Sequence, residues 1–334
     1  MSVIREVSPD HPSAEVIDEA VRLLEAGSLV AFPTETVYGL GACAFDENAV
    51  KQVFAAKGRP GTHPLIVHVP DVTTAKTLAK HWPEGATKVA ESLWPGGITL
   101  VLERSHLVSD AITGGGDTVA IRCPAHPVAL SLLRALGKPI AAPSANRHKH
   151  VSPTTAAHVA KSLGDAVSLI LDGGPCAEGM ESTVLDLTTE VPEILRPGAV
   201  SAEAIRRVLG DVAYEPRYEL TGIRVSPGQD PLHYAPNAPV EVVTAELLGA
   251  RFSELDRGKG RVVCIVREGT PLPDAARARS ITLPADAPGF SRALYAAFYE
   301  AEALDPESIL VESAPVGESW DAVRDRLVRA SAER

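Results

Sequence analysis

Apolar and polar positions run along this chain in two alternating rhythms. Residues 13–27 carry Val16, Ile17, Ala20, Val21 and Leu24 at helical spacing, with Ser13 as the opening cap and Gly27 as the stop. A four-residue apolar run, Leu29-Val30-Ala31-Phe32, then reads as a buried strand. It halts at Pro33, which has no N–H to give a central ladder. The same sequence of patterns recurs down the chain. Asp46 caps a helix that turns Ala49, Val50, Val53 and Phe54 inward. Strands are predicted over 65–69, 98–102, 119–122, 139–142 and 168–171, from Glu181 through Leu187, and ending at Arg196. Helices are predicted near 73–81, 84–94 and 126–136, after Ser152-Pro153-Thr154, and over 201–210. Alternation of this kind builds an α/β sheet in which not every neighbour need be parallel.

Beyond residue 210 the pattern changes. Pro216, Ser226-Pro227-Gly228, Pro231, His233-Tyr234-Ala235-Pro236 and Pro239 read as a proline-pinned, ordered strap. From Val240 strands and helices resume, predicting a small doubly wound unit with no glycine-rich nucleotide fingerprint. The expected division is a catalytic domain over 1–210, a linker or lid over 211–239 and a small α/β domain over 240–334, in keeping with about two domains for 334 residues.

Composition narrows the function. Hydrophobic residues are 45% and charged residues 22%, a globular balance, while aromatics at 4% leave the core to Ala, Val, Leu and Ile. The net charge of −11 divides into −5 over 1–210 and −6 beyond, so neither part resembles a general nucleic-acid binder. The four cysteines, Cys43, Cys123, Cys176 and Cys264, form no CxxC pair, which argues against zinc and against a disulfide framework. Free thiols suit a reducing compartment, and no signal-like leader or membrane-length apolar run is present. A cytoplasmic protein with no membrane partner is expected.

The chemistry-bearing stretches lie where strands break. Residues 31–41 read AFPTETVYGLG, placing Thr34, Glu35, Thr36 and Tyr38 directly after a strand. Lys57-Gly58-Arg59-Pro60 admits two readings: a helix C-terminal cap, or a phosphate clamp with Lys as point charge and Arg as fork. His63 lies in the irregular loop that follows, and His68 on the next strand. Gly114-Gly115-Gly116 precede Thr118. Arg122 ends an apolar strand, so it should face an anion supplied by the protein or by a ligand. Pro143-Ser144-Ala145-Asn146 and Leu195-Arg196-Pro197-Gly198 close further strands, and Glu181-Ser182-Thr183 opens one. Phosphate-loop, dinucleotide, HExxH, GxSxG and kinase signatures are all absent, so common ATPases and dehydrogenases are disfavoured. A sheet edge lined with Thr, Ser, Asn, Lys and Arg suits an anionic, amino-acid-like or nucleotide substrate handled without a covalent nucleophile.

Taken together and in order, PTETVYGLG, KGRP with HPLIV, TVAIRCPAHP, PSAN, EST and LRPG resemble the threonylcarbamoyl-AMP synthases of the YrdC type. SPGQDPLHYAP resembles the linker of that family's longer, two-domain branch. The resemblance implies an open, twisted mixed sheet with a concave cleft, plus a small doubly wound C-terminal domain. It also implies an enzyme joining L-threonine, bicarbonate or CO2, and ATP into threonylcarbamoyl-AMP and pyrophosphate, with Mg2+ accompanying ATP. A downstream complex would pass the group to tRNA. Thr34, Thr36, His68, Arg122, Ala142 and Ser182 would then hold threonine. Lys57 and Arg59 would act on the phosphates as the catalytic pair, and His63, Thr118, Ser144, Asn146, Ser152, Arg196 and Tyr234 would complete the ATP side. The GGG run is richer in glycine than this family's pattern. Two other readings stand beside it: an RNA-binding translation or ribosome-maturation factor, and a carbamoyltransferase using carbamoyl-AMP.

Overall fold

The computed structural model describes residues 2–215, 232–257 and 261–333. Most of the strap, including Ser226-Pro227-Gly228, lies outside the described residues. The chain divides into two compact units. One comprises 2–148 and 152–215; the other comprises 149–151 and the residues from 232 onward.

Among the described residues the first unit contains ten strands in one mixed sheet. They are β1 (Val3–Glu6), β2 (Val30–Phe32), β3 (Gly39–Cys43), β4 (Ile66–His68), β5 (Ile98–Glu103), β6 (Thr118–Arg122), β7 (Ile140–Ala141), β8 (Leu169–Asp172), β9 (Thr183–Asp186) and β10 (Glu193–Arg196). Their spatial order is β1-β8-β2-β3-β7-β4-β6-β5-β9-β10. Pairing is parallel at β1–β8, β8–β2, β4–β6 and β5–β9, and antiparallel at β2–β3, β3–β7, β7–β4, β6–β5 and β9–β10.

Both faces of this sheet are covered. Val30 and Phe32 of β2 pack with Ile17, Ala20 and Leu24 of the helix Ala14–Glu25 and with Val128, Leu132 and Leu133 of Pro127–Leu136. Ala31, between them, faces the other way. It joins the larger cluster of Ala49, Val50 and Val53 from Glu47–Lys57, Val89 from Glu84–Leu93 and Val159 from Ala156–Leu163. That two-faced burial explains why β2 reads as an unbroken apolar run rather than an alternating one. Asp46 caps its helix as expected, accepting from the N–H groups of Asn48 and Ala49. Ser13 stands at the N-cap but its side chain makes no capping bond.

Two strands were not legible. All four residues of β1 are exposed, so it carries no alternation of buried and open positions. Strand β3 is Gly-Leu-Gly-Ala-Cys, and its glycines read as loop closure. Packing explains them instead. β3 lies antiparallel against β2, with Val30 opposite Gly41, and a Cβ on Gly41 would come within 2.8 Å of the Phe32 ring and 2.9 Å of Ile140. Gly41→Ala should therefore cost about 1–3 kcal/mol through overpacking, read as a lower urea midpoint. An unchanged midpoint would show that Phe32 moves aside freely.

In the second unit β11 (Val240–Val243), β12 (Val262–Arg267), β13 (Ser280–Leu283) and β14 (Ser308–Glu312) form a parallel sheet in the order β11-β14-β12-β13. Helices lie between successive strands, as a doubly wound unit requires. The ends of β12 and β14 are tied by Glu312, buried at 1% exposure, which accepts from the Arg267 backbone and guanidinium and from the Thr270 hydroxyl.

Candidate active site

The loop after β2 folds on its own hydroxyls. Thr34 Oγ1 accepts from the N–H groups of Thr36 and Val37, both at 3.2 Å, and donates to the Val37 carbonyl at 2.6 Å. It also lies 2.8 Å from Thr36 Oγ1. The Thr34 hydroxyl is thus saturated by its own turn, and its part is to shape the loop rather than to hold a ligand. Thr36 Oγ1 in turn accepts from Arg122 Nη1 at 2.8 Å.

Arg122, at the end of β6 and 3% exposed, is answered by an anion of the protein. Its Nη2 donates to Glu35 Oε1 at 2.6 Å and its Nε to the Gly96 carbonyl at 3.2 Å. Glu35 Oε2 accepts from the Ala125 N–H at 2.9 Å. Burial alone would push the Glu35 carboxyl up, but the Arg122 charge, its hydrogen bond and backbone N–H groups outweigh it and hold the group below the usual carboxylate range. Among the described residues three of the five guanidinium N–H groups are used, which leaves one each on Nη1 and Nη2.

His68 pairs with Arg122 across the β4–β6 register. It is 3% exposed, and among the described residues its Nδ1 has no hydrogen-bond partner. Burial, and secondarily the Arg122 charge, drive its pKa down to about 3, so the ring is neutral. A buried, unpartnered nitrogen beside two spare guanidinium donors is an incomplete polar site, costly unless something completes it. Ala142, whose N–H bonds the Ile66 carbonyl at 2.9 Å, follows β7 on the neighbouring strand.

Lys57 behaves differently from a phosphate-facing point charge. Its side chain is buried, and Nζ donates to the Ser144 carbonyl at 2.6 Å and the Asn146 carbonyl at 2.5 Å. Burial first, then the Arg59 charge, pull its pKa well below the usual lysine value. Lys57 therefore fixes the Pro143–Asn146 turn from beneath. Backbone bonds extend that turn: Ala145 N to Tyr38 O at 2.8 Å, Leu40 N to Pro143 O at 2.8 Å and Tyr38 N to Pro153 O at 2.9 Å. Arg59 donates to the Pro64 carbonyl at 3.1 Å within its own loop, and the His63 ring meets His148 edge-on at 5.4 Å.

The remaining polar residues form a third group. Ser152 donates to Glu181 Oε1 at 2.5 Å, with both residues buried. Ser182 Oγ lies 2.7 Å from Thr99 Oγ1, and Arg196 reaches the Ser182 carbonyl at 2.8 Å and its hydroxyl at 3.3 Å. The Gly97 carbonyl accepts from Thr183, so this group joins the Gly96 turn that Arg122 holds.

Comparison with known proteins places this arrangement. A family model described as Sua5_yciO_yrdC, "Telomere recombination", matches residues 22–198, and one described as "Threonylcarbamoyl-AMP synthase, C-terminal domain" matches residues 200–332. The chain belongs to the Sua5/YciO/YrdC family. It is 41% identical over 326 residues to a threonylcarbamoyl-AMP synthase of Pyrococcus abyssi, covering 94% of each chain. It is 38% identical over 339 residues to one of Bacillus subtilis, covering 100% of this chain and 97% of that one. Its structure resembles that of P. abyssi Sua5 complexed with L-threonine, with a TM-score of 0.92 at 38% identity over 99% of this chain and 98% of the other.

Two expected residues of this Sua5/YciO/YrdC chain lie apart from the bonded groups. Thr118 opens β6, four residues before Arg122, hence about 13 Å from it along the strand. Tyr234, expected to close over a nucleotide, is 1% exposed and packs within the second unit. Its ring stacks on Tyr295 at 6.0 Å, and the Arg326 guanidinium sits 4.7 Å from its centre. Burying a tyrosine against a cation and a second ring gains area and cation–π attraction together. A separate cavity of about 1050 Å³, lined by Lys51, Thr62, Arg104, Ser109 and Gly114 among others, contains none of the expected ligand residues. Sequence reasoning missed Glu35, Thr99 and Glu181 as members of the site. Glu35 had a signal: the demand that Arg122 meet an anion, with a glutamate between two threonines already singled out.

Proposed function

We propose that this chain is a threonylcarbamoyl-AMP synthase, joining L-threonine, bicarbonate or CO2, and ATP, with release of pyrophosphate. The observation that carries the reading is the incomplete polar site: two spare N–H groups on buried Arg122 and the unpartnered Nδ1 of His68, on adjacent strands at paired positions. An α-carboxylate completes the guanidinium, and an amino or hydroxyl hydrogen completes the imidazole. A free amino acid offers both. The family's relatives named threonylcarbamoyl-AMP synthase, and the Sua5 structure complexed with L-threonine, support the same choice of substrate.

In this reading Arg122 and Thr36 orient threonine so that its amine adds to CO2, and the resulting carbamate oxygen attacks the α-phosphorus of ATP. No protein nucleophile is needed; positioning and charge neutralisation carry the step. In the same reading the turn held by Lys57 presents Ser144 and Asn146 to the nucleotide, and Arg59, His63, Thr118, Ser152 and Arg196 would complete its binding. Among the described residues no cluster of three or more His, Cys, Asp or Glu could hold a metal ion. The divalent cation, Mg2+, would therefore come with the triphosphate, supplying charge neutralisation there. The product would be handed to a tRNA-modifying complex in the cytoplasm. Among the described residues no helix is long and apolar enough to cross a membrane.

Pyrophosphate release tests this reading. With ATP, Mg2+ and bicarbonate present, release should depend on added L-threonine. Equal release without threonine would remove it.

A further inference from the structure

Arg122 is not a bare cation waiting for a carboxylate. Its charge is already matched by Glu35, at 2.6 Å, in a pair whose side chains are 4% and 12% exposed. The Glu35 carboxylate is itself fully engaged, one oxygen on Arg122 and the other on the Ala125 N–H. Glu35 is also fixed through its backbone, where its carbonyl accepts from Glu178 at 2.7 Å. This geometry has an electrostatic consequence. A buried guanidinium without Glu35 would be an uncompensated charge, and any small anion would relieve it. With Glu35 the Arg122 charge is cancelled before substrate arrives. A guanidinium so matched, with directed N–H donors, still suits a zwitterion, which brings no net charge, but offers little to a simple anion.

We infer that Glu35 is a specificity-determining and positioning residue: it aims the spare N–H groups of Arg122 and, by cancelling its charge, admits zwitterionic amino acids while turning away free anions. The inference rests on the amino-acid site proposed above. It matters because the proposed reaction fills the neighbouring space with anions. ATP enters, bicarbonate is consumed and pyrophosphate leaves. An uncompensated Arg122 would draw pyrophosphate or the triphosphate into the amino-acid pocket.

The experiment measures the Michaelis constant for threonine against sulfate and, separately, pyrophosphate at constant ionic strength. In the wild-type protein neither anion should compete with threonine. In Glu35→Gln, which keeps the side chain's shape but not its charge, both should become competitive with threonine, raising its apparent KM by about tenfold at millimolar anion, while the KM for ATP in sulfate stays within about twofold. Glu35→Asp, which keeps the charge with shorter reach, should show a raised threonine KM but no anion competition. A merely structural glutamate would lower activity in both variants without creating competition, and that result would overturn the proposal. So would competition by sulfate in the wild type, which needs no variant to fold. If the wild type released no threonine-dependent pyrophosphate at all, the amino-acid site itself would be wrong, a failure distinct from that of Glu35.

Discussion

Arg122→Ala should lower kcat/KM for threonine by about 100-fold to 1,000-fold and also lower thermal stability. The size follows from what is removed. Breaking one side of a buried ion pair costs about 3–5 kcal/mol, largely because the partner is left charged and alone. That partner is Glu35, whose second oxygen would keep the Ala125 N–H. The Thr36 hydroxyl and the Gly96 carbonyl lose their donor in the same step. Because the alanine variant combines a binding defect with a folding defect, Arg122→Lys separates them. Lysine keeps the charge but not the fork, so it should hold the fold more nearly intact while threonine KM rises by about tenfold or more. Steady-state kinetics in threonine and in ATP, beside a thermal melt, check both. Unchanged threonine turnover in Arg122→Ala would take the residue out of the site.

The second large effect is expected at Lys57. Methionine matches the length of the lysine stem, so Lys57→Met reads the loss of the donor rather than a cavity. The carbonyls of Ser144 and Asn146 would lose the Nζ that now joins them, though the Ser144 carbonyl keeps the Asn146 N–H at 3.0 Å. Leaving a buried acceptor short of its donor costs about 1–3 kcal/mol. Removing a buried ammonium offsets part of this, since burial already disfavours its charge. The net expectation is a loss of about 1–3 kcal/mol in denaturant unfolding, with a higher KM for ATP and little change in equilibrium threonine binding. If ATP handling and stability both stayed at wild-type values, the turn would not depend on Lys57. If threonine binding fell as much as ATP binding, the two halves of the site would be more tightly joined than the hydrogen bonds indicate.

How far the sequence disclosed this site depends on which physical signal each residue left. Buried strands such as β2 and the helix capped by Asp46 announce themselves through apolar runs and side-chain caps. β3 does not, because its glycines are demanded by Phe32 and Ile140, which approach only after folding. Arg122 was legible as a cation needing an anion, since charge at the end of an apolar strand is a cost visible in one dimension. That its partner is Glu35, 87 positions away, was not legible, because pairing is a property of the sheet order. Thr34 and Lys57 illustrate the reverse case. Both have the residue type a ligand site needs, yet their hydrogen bonds run to the protein's own backbone, and only coordinates reveal that a hydroxyl or ammonium is already occupied. For Tyr234, the choice of Tyr295 and Arg326 as packing partners leaves no local trace.

The central claim is that this fold joins a carbamoylated threonine to AMP. Mass spectrometry of a mixture of the protein, ATP, Mg2+, L-threonine and carbon-13 bicarbonate tests it most directly. The account predicts a threonylcarbamoyl adenylate carrying one labelled carbon, formed only when threonine is present. An adenylated threonine lacking that carbon, or a labelled carbamoyl adenylate formed without threonine, would contradict it.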